Sequence, residues 1–374
     1  MKGVYRLLLQ AVLPTLMVIT VGLSPLLEWF DRHLYDMANH YATQKVDADE
    51  VVLIDIDAET LERLGHWPID RTYHAQAIDI LEAGQVGAIV YNIAFVETDP
   101  DNDSADRALI TAVENSGRVV LPLIAEKSVE LLPLGRPDLP GVLVGHADLA
   151  SDSDQVLRRS FLYAGVSYPR WPSLALSALF SYAPIKADDY VGLRTPYLHV
   201  GFHDRWSRDY EVLLQPGIRN YFQTVPRFSF HALLNGTVRS EQLRDKAVFV
   251  GLRNDSLEES HLLGGALQLS STEVQAYLFS SLHQGKVLSP SLPFWSISLG
   301  VYVVLFMLIA SYQALPPWGR GAILLFVVFG AVMPVMFYKL GYWISCLPML
   351  SGLLVLILQR VLSSQISRHK KALN

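Results

Sequence analysis

Four apolar stretches without a single charge constrain this chain before anything else does. The first, "LLLQAVLPTLMVITVGLSPLL", runs over 7–27, and the others are "FWSISLGVYVVLFMLIASYQ" (294–313), "GAILLFVVFGAVMPVMFY" (321–338) and "GYWISCLPMLSGLLVLILQ" (341–359). Each is close to the roughly 17 to 25 residues that an α-helix needs to cross a hydrocarbon core. Backbone groups find no water there, so helices are expected, with Pro14 and Pro334 tolerated inside them. The first stretch is longer than the about 7 to 15 apolar residues of a cleavable signal, and no A-x-A site follows it. It reads as an uncleaved anchor.

Orientation follows from the cations that flank these spans, because Lys and Arg beside a span tend to stay in the cytoplasm. Lys2 and Arg6 precede the first span, Arg320 lies between the second and third, and Arg360, Arg368, Lys370 and Lys371 follow the fourth. Four spans place all three groups on one side, with only Lys339 opposite. The expected layout is an N-terminal anchor (1–27), an exported domain (28–290), three transmembrane helices (291–360) and a basic tail (361–374). Both termini are then cytoplasmic, the chain is multi-pass in the cell inner membrane, and 28–290 are periplasmic or extracellular. The single cysteine, Cys346, falls in the fourth span, so the exported domain depends on its own core without a disulfide.

Within 28–290 the pattern alternates between strand and helix. "VVLIDID" (51–57) and "GAIVYNIAF" (87–95) are apolar runs of buried-strand length, and "RTYHAQAIDILEAGQ" between them has helical spacing. That order reads as a βαβ crossover. "ADRALITAVENSG" (105–117) continues it as a helix ending at glycine, followed by the strand "RVVLPLI" (118–124). Further on, "RNYFQTV" reads as a strand, "FSFHALLNG" as a short helix, "DKAVFVGL" as a strand and "STEVQAYLFSSLHQG" as a closing helix. The expected fold is an α/β domain with a mainly parallel sheet, plus four transmembrane helices, one N-terminal and three C-terminal.

"GHWPIDRTYHAQ" (65–76) raises the question of a site. Asp55 and Asp57 are alternate residues of one strand and share a face, and His66 or His74 could join them around a metal. No spacing matches a known metal motif, so no metal and no cofactor are expected. The residues also read as connectors: Asp57 as the N-cap of "AETLERL", Gly65 as its stop, and Asp70 as the cap of the next helix with Arg71 at its start. "DPDNDSADRA" (99–108) reads as a solvated loop ending in a cap, and "HADLASDSDQVLRR" (146–159) as a surface turn. No P-loop, H-E-x-x-H, G-x-S-x-G or dinucleotide fingerprint is present, and catalysis has no strong support in the sequence.

The order "VVLIDIDAETLERLGHWPIDRTYHAQAIDILEAGQVGAIVYNIAF" resembles the opening of the type-two CHASE domain, an exported sensory module of bacterial receptors associated with cyclases and histidine kinases. The resemblance extends to "LEWFDRHLYD", "ADRALITAVENSGRVVLPL", "GHADLASDSDQVLRR", "WPSLALSAL" and "LRDKAVFVGL". Trp67, Pro68, Arg71 and His74 stand where the family has the same residue types, and Asn92 stands where it usually has an aspartate. The resemblance implies a receptor: an exported sensor answers a small-molecule or environmental stimulus and passes the change through the membrane helices. With Asp55 and Asp57, these four residues make the candidate sensory-site or structural motif. A separate cytoplasmic effector and the lipid bilayer are the expected partners, and nucleic acid is not. Val355, Leu358, Leu362 and Ile366 are spaced so that the last helix pairs with a copy of itself, and a homodimer is expected. The alternatives are a membrane-tethered hydrolase using Asp55, Asp57, His66 and His74, or a scaffold subunit of a membrane complex.

Overall fold

The computed structural model describes residues 12–21, 23–41, 46–98, 102–126, 129–135, 142–183, 206–214, 218–253, 260–263, 267–290, 297, 299–301, 303, 339–345 and 347–373. The chain forms two compact units, one of residues 39–287 and one of 1–38 with 288–374.

The larger unit is built on a parallel sheet. Its elements begin β1 (Val51–Ile56), α1 (Ala58–Leu64), α2 (Arg71–Ala83), β2 (Ala88–Tyr91), α3 (Asp103–Ser116), β3 (Val119–Glu126), β4 (Val129–Leu131) and β5 (Leu143–His146). They continue with β6 (Arg159–Val166), β7 (Trp171–Pro172), α4 (Leu174–Tyr182), β8 (Trp206–Leu213), α5 (Ile218–Thr224), β9 (Arg227–Ser229), α6 (Phe230–Leu234) and α7 (Ser240–Leu243). Last come β10 (Ala247–Leu252), β11 (Ser260–Leu263), β12 (Leu267–Ser270) and α8 (Ser271–His283). β5, β3, β2, β10, β1 and β9 lie side by side and all pair in parallel, while β4 folds back antiparallel onto the end of β3.

Parallel strands are covered on both faces, which is why β1, β2 and β10 are apolar at nearly every position. Alternate residues then serve different cores. Val51, Leu53, Ala88, Val90, Ala247 and Phe249 pack beneath α4 and α8. Val52, Ile54, Ile89, Tyr91, Val248 and Val250 pack beneath α2, α3 and α6.

Two sequence expectations are corrected. "RNYFQTV" is helix α5, not a strand. Tyr221 and Val225, four apart, are buried while Gln223 and Thr224 are exposed, which is a helical period. "HADLASDSDQVLRR" is not a solvated turn: Asp152 and Arg158 are both buried. Arg158 meets Asp152 at 3.1 Å and Asp154 at 2.9 Å, and Arg159 ties Asp152 at 3.0 Å to Glu211 at 2.7 Å on β8. These pairs brace a small antiparallel sheet of β7, β6 and β8.

In the smaller unit, residues 12–21 are helical, a helix spans Pro25–Tyr41 up to and across the unit's edge, and a long helix spans Leu347–Leu373. Trp343 donates its indole N–H to Asp31 at 2.9 Å and meets Tyr35 edge-on at 5.1 Å. Among the described residues no helix is long and apolar enough to cross a membrane. The third expected span, most of the second, and Cys346 lie outside the described residues.

Candidate functional site at the carboxyl edge of the sheet

Ligands of open α/β sheets bind beyond the carboxyl ends of the strands, where neighbouring connections leave toward opposite faces. Here the chain leaves β1 and β2 for α1, α2 and α3 on one face, while β10 between them leads to α8 on the other. The face toward α8 is sealed. Asn92, directly after β2, donates its side-chain N–H to Thr272 Oγ1 at 3.1 Å. A Cβ on Gly251 would lie 1.9 Å from that same oxygen, so only glycine lets α8 sit this close to β10.

Asp55 faces this sealed side. Its carboxylate lies 3.3 Å from Arg227 Nε and 3.4 Å from Arg253 Nη1, and Arg227 also pairs with Glu273 at the start of α8. Burial pushes the Asp55 carboxyl above its ordinary range, against the pull of the two arginines, and Glu273 adds to the rise. Two residues on, Asp57 caps α1 as its sequence position suggests. Its Oδ1 accepts from Thr60 N at 2.9 Å, Thr60 Oγ1 at 2.8 Å and Ser229 Oγ at 2.9 Å. The cap thereby also holds β9, since Ser229 ends that strand.

The opposite face is open. α1 stops at Gly65, whose φ of 110° is glycine territory. The chain then crosses His66, Trp67 and Pro68, joined by a cis Trp67–Pro68 bond, to Asp70. Asp70 Oδ1 accepts from Thr72 N at 2.8 Å and so caps α2, and Thr72's hydroxyl and amide hold its carboxyl below the usual range. Between this crossing and residues 93–98 after β2 lies a cleft of about 830 Å³, lined by Trp67, Asp70, Arg71, His74, Phe95 and Glu97 among others.

Two of the charged side chains at the cleft, Arg71 and Asp70, are held in place. Arg71 pairs with the buried Asp106 of α3, donates to the Glu97 carbonyl, and lies over the Phe95 ring at 5.9 Å. Asp70 Oδ2 accepts from Asn102 at 2.9 Å. His74 differs. It is 1% exposed and ringed by Tyr91, Phe95 and Phe230, with centroids at 5.6, 5.0 and 5.4 Å. Its Nδ1 is buried with no hydrogen-bond partner among the described residues. Burial in this apolar ring, seconded by Arg71, drives its pKa down to about 3, so the imidazole is neutral.

The structure therefore gathers Trp67, Pro68, Arg71 and His74 around one cleft and leaves Asp55 and Asp57 out of it. The hydrolase quartet is not assembled: Asp55 belongs to arginines on the sealed face, Asp57 is spent as a cap, and His74 lies in the other core. Among the described residues no group of three or more His, Cys, Asp or Glu is placed to hold a metal. What remains is a binding geometry, with aromatic walls and a buried imidazole nitrogen that has no hydrogen-bond partner among the described residues. Sequence reading missed Phe95, Asp106, Arg227, Arg253 and Glu273. The only signal for Asp106 was an acid on the apolar side of an otherwise amphipathic helix; the others carried none.

A family model described as the CHASE2 domain matches residues 13–312. No curated protein matches the chain, and no solved structure does.

Proposed function

The chain belongs to the CHASE2 domain family, a family of sensory domains, and from that premise we propose that it is a membrane-anchored receptor whose larger unit detects a small molecule outside the cytoplasm. The observation that carries this reading is the cleft beyond β2, because the residues shared with the family's pattern, Trp67, Pro68, Arg71 and His74, all line it. A ligand held there touches the α1–α2 crossing and the segment after β2 together. It favours whichever arrangement of the two it binds more tightly, which is what a sensor requires.

Anchoring in a bilayer is part of the same proposal. Large apolar side chains that face outward gather in the smaller unit, at Val12, Leu13, Leu16 and Met17 and at Leu350, Leu354, Ile357, Leu358, Val361 and Leu362. An aqueous surface rarely carries so continuous an apolar stripe, and lipid or a second copy of the last helix accounts for it. Four spans place both termini inside and the larger unit outside, and the signal passes inward to a cytoplasmic output.

A diguanylate cyclase domain joined after Asn374 tests the sensor reading. Its activity should change with the composition of the medium, and it should lose that response when Trp67 is replaced by alanine. Reporter tags near 150 and 370 should report opposite compartments. A flat cyclase response across pH, salt and nutrients, or both tags in one compartment, would overturn the proposal.

A further inference from the structure

The chemistry of the ligand follows from which groups on the cleft wall are already satisfied. Arg71, the cation most able to take a carboxylate or phosphate, spends its guanidinium on Asp106 and the Glu97 carbonyl. Asp70, the carboxylate that an amine would seek, accepts from Thr72 and Asn102. A ligand whose charge meets Arg71 or Asp70 would have to break one of these arrangements and leave a charged group with fewer partners than it has now, and the exposed Glu97 carboxylate offers a cation only a solvent-screened pair.

His74 is the exception. Its ring is held from three sides by aromatic contacts and cannot swing to solvent, yet Nδ1 has no partner among the described residues. An unpaired buried polar atom is costly, and native structures keep few of them without a reason. Trp67, Pro68, Ile69, Ile93, Phe95 and Leu131 supply an apolar wall around it. The volume, about 830 Å³, is within the roughly 300 to 1,000 Å³ usual for small-molecule sites.

Resting on the sensor reading above, we propose that the cleft takes an uncharged aromatic molecule carrying one hydrogen-bonding N–H or O–H, its ring against Trp67 and Phe95 and its polar group on the His74 imidazole. Such a molecule gives the His74 imidazole a partner and disturbs neither the Arg71 nor the Asp70 arrangement. Anionic and cationic analogues of the same shape fit the walls and lose on the charges.

Binding to the purified full chain in detergent micelles, followed by titration calorimetry, tests this with four probes: indole and 4-methylphenol as the neutral pair, benzoate as the anion and benzylamine as the cation. Indole and 4-methylphenol should each saturate one site, with the two charged probes at least about ten-fold weaker, the factor that one lost buried hydrogen bond or ion pair sets. Ala94→Trp fills the cleft from an exposed wall position and should abolish the saturable heat while leaving the unliganded melting temperature unchanged; it also corrects for partition into micelles. His74→Leu keeps the packing, removes the acceptor, and should weaken the neutral probes about ten-fold or more.

No saturable binding of either neutral probe, equal binding of the charged ones, or binding untouched by Ala94→Trp would overturn the proposal. If indole binds as described and the cyclase fusion stays flat, the cleft assignment stands and the receptor reading fails. If the fusion responds to the medium while neither neutral probe binds, the cleft assignment fails and the receptor reading stands.

Discussion

Asp55 and His74 are both buried at the carboxyl edge of one sheet, on opposite faces, and the fold treats them in opposite ways. Asp55 is met by Arg227 and Arg253, and its neighbourhood is locked by Gly251 against Thr272. His74 is met by aromatic rings and borders an open cleft. A buried charge must be paired to persist, whereas a buried base can shed its proton and stay neutral. One face thus becomes a fixed clasp and the other a surface with binding capacity left over.

The sharpest way to break this contrast is to remove the clasp. Arg227→Ala leaves Asp55 and Glu273 side by side with only the half-exposed Arg253 to offset them. Stability measured by denaturant unfolding should fall by about 3 kcal/mol, as for other interrupted buried pairs. A loss below about 1 kcal/mol would mean that the cluster is an ordinary surface ion pair. Next in size is Gly251→Ala, which drives a methyl group onto Thr272 Oγ1 and should cost about 2 kcal/mol by overpacking. The double variant Gly251→Ala with Thr272→Ser, which removes the Thr272 methyl but keeps the hydroxyl, should recover only part of that loss, since the closest atom is the oxygen. Full recovery would show that the methyl is the obstacle.

Asp57→Ala comes third, at about 1 kcal/mol, the usual worth of an N-cap. Its effect should exceed that of Asp70→Ala, because the bond Asp57 receives from Ser229 of β9 is partly buried whereas those Asp70 receives from Thr72 and Asn102 are exposed. Equal losses would place Asp57 among ordinary caps with no share in holding the sheet.

These caps show what could be read from the sequence and what could not. Asp57, Gly65 and Asp70 act through neighbours two to four residues away, so local spacing identified them, and the strand, helix and strand around them were legible for the same reason. β10 was legible as a strand, but nothing in "AVFVGL" says that it inserts between β1 and β2, because a strand buried on both faces carries no mark of its partners. Asp55 is the same problem at the level of one side chain: Arg227 and Arg253 come from β9 and the end of β10, and only the closed sheet brings them near. The cleft was half legible. Its rim residues stood together in "GHWPIDRTYH", but they read as a connector, and the far wall from 93 to 98 is supplied by the crossover. The expected receptor family and the mainly parallel α/β domain match what is found.

The effect that is smallest at pH 7 is also the most discriminating, because it shows itself only as the pH falls. His74 has its folded-state pKa pushed from the ordinary 6.5 to about 3, so between those values the unfolded chain binds a proton that the folded chain refuses. Its contribution to stability is complete above 6.5 and is lost as pH falls toward 3, at up to about 1.4 kcal/mol per pH unit. Asp55 has the opposite sign: its carboxyl is raised above the ordinary 3.8, so its contribution is present below that value and is lost as pH rises through the raised one. His74→Leu should therefore change stability by less than about 1 kcal/mol at pH 7 and flatten part of the decline below 6.5, the rest being shared by His146, which burial holds at about 4, and by lowered carboxyls such as Asp70. Asp55→Asn should leave that acid decline in place. If the two variants flatten the same limb of the curve, the two faces are not electrostatically distinct, and the contrast between clasp and cleft collapses.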